Sequence, residues 1–444
     1  MSGLARIVLD LGRSVTGSDL NKTSVTERLE AMGAVCYTGH SPDNVEGADL
    51  VVVSTAIKLN NPELVRANEK GIPVIHRGDL LALLMERQSG IAVAGAHGKT
   101  TTTSMMALVL EKNNLDPTIV IGGELNDIGG NAKFGRGRYL VAEADESDGS
   151  FLKLSPEIVI ITNVENDHLD YYRSVEKIKE AFKAFISKVP NTGLAVVCKD
   201  DAGARDIIEG YKGPLVTYGI ESKDADYIFG DIRFDGMSST GEVYCRGKRL
   251  GTIVLSVPGR HNLLNALSVV AAGMFAGLEF RDIAGALGAF RGAGRRFQLV
   301  GESCGIQVVD DYAHHPSEIK ATLKAARQVG AKRIITVFQP HRYTRTNLLR
   351  AEFGSAFTDS DVVIINEIYS AGEQPIEGVN AGILVEAIRK NGHKEVIYLG
   401  TREEIVDYLA DFAKPGDLIF TMGAGNIWMA GVDLVKRLQS AGGK

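Results

Sequence analysis

The stretch that decides the fold is Ile91-Ala-Val-Ala94, followed directly by Gly95-Ala-His-Gly98-Lys99-Thr100-Thr101-Thr102. An apolar strand, a glycine loop and a helix-forming run at 104–112 succeed one another, which is the context of a phosphate-binding loop. The glycines let backbone N–H groups face phosphate oxygens at a helix N-terminus, and the lysine adds a cation. We therefore expect a nucleotide site made of Gly95, His97, Gly98, Lys99, Thr100 and Thr101.

This loop departs from the strict pattern G-x-x-x-x-G-K-[ST], because Val93 stands where the first glycine would be. A chance Gly-Lys-Thr turn is therefore the alternative. The strand before the loop and the helical run after it favour the phosphate loop.

Two later strands end in polar clusters. Leu140-Val-Ala142 leads into Glu143 and Asp145, and either carboxylate could bind Mg²⁺ together with the Thr100 hydroxyl, although a solvated acidic loop is the alternative. His168 follows the strand at 158–162 in a loop rich in Asn and Asp. A lone histidine is more often structural, but in this position it could ligate a second metal or contact a phosphate.

Composition excludes several classes of protein. With 444 residues, the chain is long enough for about three domains of ~150 residues each. Its 44% apolar and 23% charged residues are typical of a globular protein rather than a disordered one. The net charge of −6 comes from acidic and basic residues mixed along the chain, which leaves no basic stripe for nucleic acid.

The longest uncharged stretch, 262–278, is shorter than the ~20 apolar residues that a membrane span requires. The N-terminus lacks the pattern of a secretory signal. The four cysteines (36, 198, 245 and 304) are scattered, which favours reduced thiols and a cytoplasmic protein.

Short β-branched runs alternate with helical patterns, for example at 51–55, 334–338 and 362–366. This alternation predicts an α/β fold with parallel sheets. Changes in the pattern divide the chain into three blocks at 1–89, 90–297 and 298–444.

Further motifs carry a resemblance. The most specific are Asp310-Asp-Tyr-Ala-His-His-Pro316 and Phe338-Gln-Pro-His-Arg-Tyr-Thr-Arg-Thr346. Together with the phosphate loop and segments 143–151, 163–172, 259–265, 294–298 and 423–425, they make the chain similar to the Mur ligases of bacterial cell-wall synthesis over essentially its whole length.

The resemblance implies three domains: a Rossmann-like UDP-sugar domain (1–89), a central ATP-binding P-loop domain (90–297) and a Rossmann-like amino-acid domain (298–444). Relatives begin with a strand and a glycine-rich loop directly before Met-Ser-Gly-Leu-Ala, and both are absent from this sequence. A start codon assigned too late and a shortened chain both remain open. Pyrophosphate binding at the first helix is put in doubt by this departure.

The resemblance also implies site residues. Lys99 would bind the ATP phosphates, Thr100 and Glu143 would hold one Mg²⁺, and His168 would serve a second metal. Adenine would face Asn262 and Asn265, and the nucleotide would also contact Arg296 and Asp311. The L-alanine side would consist of Tyr312, His314, Arg342 and Arg345. The UDP-sugar would contact Asp19, Ser54, Asn61 and Arg77.

The activity that the resemblance implies is an ATP-dependent ligation of L-alanine to the lactyl carboxylate of UDP-N-acetylmuramate through an acyl phosphate. Its cofactors would be ATP and Mg²⁺, and the enzyme would be a cytoplasmic monomer or weak homodimer. Arg342 and Arg345 could clamp the amino-acid carboxylate, and their position after a strand end favours this over a role as surface cations. Because an imidazole titrates near neutral pH, His314 would accept the ammonium proton or position the amine.

Three alternatives remain. A relative that attaches recycled peptides shares the His-His-Pro motif but lacks the run at 341–345. A P-loop switch or transport ATPase would explain residues 95–148 alone. A non-catalytic nucleotide-sugar binder would fit the absent first strand.

Overall fold

The computed structural model describes residues 1–125, 130–165 and 169–442. The chain divides into two compact units. The first comprises Met1–Gly230, Glu242–Ile253 and Leu264–Gly288, and the second comprises Asp231–Gly241, Val254–Leu263 and Ala289–Lys444.

The first unit begins with small α/β elements. They are α1 (Ser2–Asp10), β1 (Thr16–Asp19), α2 (Ser24–Ala31), β2 (Val35–Thr38), β3 (Val51–Val53), α3 (Pro62–Glu69), β4 (Val74–His76) and α4 (Arg77–Met85). Side chains define the helix starts, because Thr23 closes a capping box and Asn61 caps α3. The strands form two separate parallel pairs, β1–β2 and β3–β4.

A ten-stranded sheet follows. Its strands are β5 (Ser89–Ala94), β6 (Thr118–Leu125), β7 (Gly130–Lys133), β8 (Tyr139–Glu143), β9 (Ile158–Ile161), β10 (Leu194–Cys198), β11 (Leu215–Gly219), β12 (Tyr227–Asp235), β13 (Ser238–Cys245) and β14 (Lys248–Leu255). The helices are α5 (Lys99–Lys112), α6 (Leu169–Tyr172), α7 (Val175–Ile186), α8 (Ala202–Ile208), α9 (Arg260–Phe275) and α10 (Phe280–Gly288). The strand order is β14-β13-β12-β11-β10-β9-β5-β8-β6-β7.

Strand β5 lies between β8 and β9, and it is parallel to both. Its residues from Gly90 to Ala94 are buried, as expected for a central strand that is covered on both faces. Because parallel strands end at the same edge, the loops after β5, β8 and β9 lie side by side. This arrangement brings the predicted phosphate loop to the Glu143 segment.

The second unit has a six-stranded sheet. Its elements are β15 (Gln298–Ser303), β16 (Ile306–Asp311), α11 (Pro316–Gln328), β17 (Arg333–Phe338), α12 (Tyr343–Leu348), α13 (Arg350–Gly354), β18 (Val362–Ile365), α14 (Gly382–Lys390), β19 (Val396–Tyr398), α15 (Arg402–Phe412), β20 (Asp417–Met422) and α16 (Trp428–Gly442). The strand order is β15-β16-β20-β17-β18-β19, with β15 antiparallel and the rest parallel. Separate apolar cores on its two faces contain residues of α11 and α14 and of α15 and α16, respectively. The predicted α/β class with parallel sheets is therefore confirmed.

No helix in the described part of the chain combines the length and the apolar character needed to cross a bilayer.

Candidate active site

The predicted phosphate loop connects β5 to α5. Gly95 and Gly98 have φ values of 137° and 81°, which residues with a Cβ rarely adopt. A Cβ on Gly98 would lie 2.8 Å from Asn265 Oδ1. The loop is fixed to the end of β9, since the His97 N–H donates to Asn163 Oδ1 at 2.8 Å and the Thr162 hydroxyl donates to the His97 carbonyl at 2.6 Å.

Lys99 is folded back onto this loop. Its ammonium donates to the carbonyls of Gly95 and Ala96 and forms an ion pair of 2.7 Å with Glu146 Oε1. Burial alone would lower the pKa of Lys99, but the charges of Glu146, Glu143 and Asp145 outweigh it and raise the pKa. The ammonium is therefore charged and held where a phosphate would approach.

The donor set for a divalent cation lies beside the lysine. Thr100 Oγ1 is 3.0 and 3.2 Å from the two carboxylate oxygens of Glu143, and the Gly122 N–H donates to Glu143 at 2.9 Å. A hydroxyl and a carboxylate at a strand end are hard oxygen ligands, so these residues fit Mg²⁺. His168, the predicted ligand of a second metal, lies outside the described residues.

Asp145 has other partners. It forms an ion pair with Arg77 and accepts from the Ser147 N–H at 3.0 Å. Asp148 Oδ2 lies 3.9 Å from the same guanidinium and 3.6 Å from His76 Nε2. Of the two carboxylates that we considered for Mg²⁺, Glu143 therefore faces Thr100 and Asp145 faces Arg77.

The other predicted UDP-sugar residues are dispersed. Asp19 is exposed at the end of β1, Ser54 follows β3, and the Asn61 side chain accepts from the Glu63 and Leu64 N–H groups at the start of α3. Among the described residues, no hydrogen bond joins any two of these three side chains and Arg77.

Sequence reasoning missed a polar cluster centred on Glu63. This carboxylate accepts from Ser18 Oγ at 2.7 Å and from Asn44 Nδ2 at 2.6 Å, and it lies 3.2 Å from His40 Nδ1. Ser18 is the penultimate residue of β1 and His40 lies just after β2, so polar residues at strand ends were the available signal.

Both predicted adenine-facing asparagines lie on α9 and are buried. The Asn265 amide lies against the phosphate loop at Gly98. Asn262 Nδ2 donates to the Pro258 carbonyl at 2.7 Å.

In the second unit, the Asp311 carboxylate accepts hydrogen bonds from the backbone. Its two oxygens accept from the Phe297 and Ala313 N–H groups, both at 2.8 Å. Burial raises its pKa to about 6. Arg296 lies over the Tyr312 ring, 5.3 Å from the centroid, and 3.5 Å from Glu318 Oε1. These contacts fix the segment that contains Tyr312.

His314 is partly buried and neutral. Its Nδ1 lies 3.0 Å from the Tyr312 carbonyl and 3.3 Å from Glu318 Oε2. Because both neighbours are acceptors, Nδ1 carries the hydrogen and Nε2 keeps a lone pair. Burial lowers the pKa of His314 to about 4, so the expectation that it titrates near neutral pH is wrong.

The two predicted arginines flank the start of α12. Arg342 precedes the helix with φ 71° and ψ 139°, and Arg345 lies in it. Arg345 Nη1 is 3.3 Å from His341 Nδ1. Among the described residues, Arg342 Nε is a buried donor without a hydrogen-bond partner. This orphan donor is what an anionic ligand would satisfy.

His341 and Tyr369 were not singled out from the sequence. Their rings stack 5.7 Å apart at an interplanar angle of 11°, and the His341 ring also lies 5.8 Å from that of His314. Burial, aided by electrostatic interaction with His314, Arg345 and Arg342, lowers the pKa of His341 to about 3. The second unit thus places two neutral imidazoles beside two guanidiniums.

The Gly423–Gly425 motif packs against this group. Gln339 donates to Asn426 Oδ1 at 2.9 Å and to Asn366 Oδ1 at 3.2 Å, and it accepts from the Ile427 N–H. A Cβ on Gly425 would collide with Gln339 and Tyr369. The glycine is therefore needed for a close backbone approach.

Three family models match the chain. The family model described as "Mur ligase family, catalytic domain" matches residues 1–89, "Mur ligase middle domain" matches 93–273, and "Mur ligase, glutamate ligase domain" matches 295–425.

The chain is 65% identical to UDP-N-acetylmuramate--L-alanine ligase of Pelotomaculum thermopropionicum, over 99% of this chain and 95% of the relative. Its structure is similar to that of UDP-N-acetylmuramate-alanine ligase from Thermotoga maritima, with a TM-score of 0.84, 31% identity and coverage of 99% and 97%. A murein peptide ligase from Psychrobacter arcticus matches with a TM-score of 0.72, 27% identity and coverage of 99% and 96%.

These matches confirm the family that the sequence motifs indicated and its three-domain fold. The family models match the segments that contain the phosphate loop, the carboxylate cluster and the arginine pair. The chain belongs to the Mur ligase family.

Proposed function

We propose that the protein joins L-alanine to the lactyl carboxylate of UDP-N-acetylmuramate at the expense of ATP. The names of the relatives at 65% and 52% identity, each over 99% of the chain, support this activity. The observation in the structure that carries it is the orphan Arg342 Nε beside Arg345, which matches the carboxylate of an amino acid.

The first step is the attack of a substrate carboxylate oxygen on the γ-phosphorus of ATP, which releases ADP and leaves an acyl phosphate. Two anions must meet in this step, so catalysis rests on charge neutralisation and positioning. Lys99 would exchange its bonds to Glu146 and the loop carbonyls for phosphate oxygens. Thr100 and Glu143 would hold Mg²⁺, which supplies further positive charge when it is bound.

In the second step the neutral amine nitrogen bonds to the acyl carbon, inorganic phosphate leaves with the former carboxylate oxygen, and the proton that the nitrogen loses passes to the released phosphate. Arg342 and Arg345 would clamp the amino-acid carboxylate through charge-assisted hydrogen bonds. The neutral His314 would accept a hydrogen bond from the amine at Nε2. With a pKa of about 4, it orients the nucleophile rather than storing its proton.

The remaining residues have supporting roles in this proposal. Asn262, Asn265, Arg296 and Asp311 would serve the nucleotide, and Asp19, Ser54, Asn61 and Arg77 would serve the UDP-sugar. The domain limits 1–89, 90–297 and 298–444, the second metal at His168, the cytoplasmic location and a monomeric or weakly dimeric state stay predictions.

A coupled assay of phosphate release, with ATP, Mg²⁺ and UDP-N-acetylmuramate and one amino acid at a time, tests the proposal. We expect release to require both the UDP-sugar and L-alanine. Release without any amino acid would favour a switch or transport ATPase. Release with the recycled peptide L-alanyl-γ-D-glutamyl-meso-diaminopimelate instead of L-alanine would favour the peptide ligase.

A further inference from the structure

The backbone at Arg342 adopts a conformation that has to be enforced. A φ of 71° with ψ 139° is unfavourable for a residue with a Cβ and persists only when neighbouring groups over-determine it. One restraint is a short bridge, in which the Arg342 N–H donates to the Tyr369 carbonyl and the Tyr369 N–H donates to the Pro340 carbonyl, both at 2.8 Å. The stack of His341 on Tyr369 reinforces it.

A second restraint comes from Glu373, in the loop that follows β18. Its Oε2 accepts from the Thr344 N–H at 3.1 Å, and its Oε1 accepts from the Thr344 hydroxyl at 2.6 Å. The Glu373 N–H donates to the Ser370 carbonyl at 3.0 Å, which closes a turn at the residue that carries the carboxylate.

Thr344 lies between the two arginines. Its N–H belongs to the first turn of α12, where backbone donors have no partner within the helix. A carboxylate on this donor stabilises the turn and holds its direction. Since α12 has only six residues, it has little stability of its own, and its orientation depends on such contacts.

We propose that Glu373 is a positioning residue for the amino-acid substrate: by holding Thr344 at both its N–H and its hydroxyl, it presents Arg342 and Arg345 to the substrate carboxylate. The inference rests on the proposed function. Glu373 does not touch the substrate carboxylate, since like charges repel; it acts through the helix start.

The test uses Glu373→Ala and Glu373→Gln, with Glu377→Ala as matched control. Glu377 is an exposed carboxylate of the same loop. For each variant, kcat and KM are measured for L-alanine, ATP and UDP-N-acetylmuramate, together with the melting temperature. We expect Glu373→Ala to raise the KM for L-alanine roughly tenfold or more, the range expected when a hydrogen bond to a charged group is lost. The other two KM values should stay within about twofold.

Glu373→Gln should recover most of the loss, because its amide oxygen accepts from the Thr344 N–H and its NH₂ group donates to the hydroxyl. Thr344→Val, which keeps the N–H and removes the hydroxyl, should show a smaller rise in the KM for L-alanine. Glu377→Ala should match the wild type.

An unchanged KM for L-alanine in Glu373→Ala, an equal rise in all three KM values, or a Glu373→Gln variant as impaired as Glu373→Ala would overturn the inference. A wild-type protein that releases phosphate with another amino acid would overturn the proposed substrate instead, and the same comparison would then be made with that amino acid.

Discussion

The phosphate loop and the arginine pair have opposite charge balances. Around Lys99, the first unit gathers the carboxylates of Glu143, Asp145 and Glu146. Around His341, the second unit gathers Arg342 and Arg345, with two partly buried imidazoles whose pKa values burial lowers. One site has an excess of negative charge and the other an excess of positive charge.

The charge of each site indicates which ligand it would bind. Carboxylates beside a phosphate loop would repel a nucleotide unless a divalent cation accompanied it, which favours the proposed Mg²⁺ together with ATP. An unsatisfied guanidinium donor can be satisfied by an acceptor oxygen, and two arginines suit a planar carboxylate. Removing a charge from one site should therefore weaken the use of one substrate and leave the other substrate largely unaffected.

The largest effect should come from Lys99→Ala. Removing the ammonium leaves the carboxylates without their internal counter-ion and the γ-phosphate without a stabilising charge. We expect turnover to fall by about three orders of magnitude. The measurement is amino-acid-dependent phosphate release, and Lys112→Ala, at the exposed end of the same helix, is the control. Near-normal turnover would remove Lys99 from the reaction.

Arg345→Ala should have the next largest effect, in the opposite site. Loss of one arm of the carboxylate clamp should lower kcat/KM for L-alanine by about two orders of magnitude. The KM for ATP should change by less than about threefold. Arg350→Ala, an exposed arginine of α13 that pairs with Glu386, is the control. A parallel loss of ATP binding would show that the two sites are not separable.

Glu143→Gln should shift the metal requirement. The amide keeps the shape of the side chain but removes the charge that faces Thr100, so the Mg²⁺ concentration for half-maximal activity should rise about 10- to 100-fold. A Mg²⁺ titration at constant ATP measures this, with the exposed Glu180→Gln on α7 as control. An unshifted titration would exclude Glu143 as a ligand.

The smallest effect concerns stability against pH. Burial lowers the pKa of His341 from 6.5 to about 3, so unfolded chains bind its proton first as the pH falls. The contribution of the neutral His341 imidazole to the free energy of unfolding is complete above pH 6.5. It is lost progressively as the pH falls from 6.5 towards 3. His341→Phe keeps a ring stacked on Tyr369. Between pH 6.5 and 4, its melting temperature should therefore fall less than that of the wild type. Near pH 8 the difference between the two melting temperatures should not change with pH. Identical pH profiles of wild type and variant below pH 6.5 would contradict the lowered pKa of His341.

The sequence predicted the local structure where one segment contains both a strand end and the polar residues that follow it. The loop at 95–102 contains strand end, glycines and lysine together, and Arg342 and Arg345 lie three residues apart after a strand. Prediction failed where a contact joins distant segments: Glu373 and Thr344 are 29 residues apart, and nothing local in either segment indicates the other. The lowered pKa of His314 could not be predicted from the sequence, because burial is a tertiary property.

In the proposed function, both sites serve a single reaction, in which ATP activates the carboxylate of the muramyl substrate. UDP-N-acetylmuramate labelled with ¹⁸O in both carboxylate oxygens tests this most directly, when turned over with ATP and L-alanine. We expect one ¹⁸O atom in each molecule of released phosphate, detected by mass spectrometry. Phosphate without the label would mean that the carboxylate never bonded to phosphorus, and would exclude an acyl phosphate.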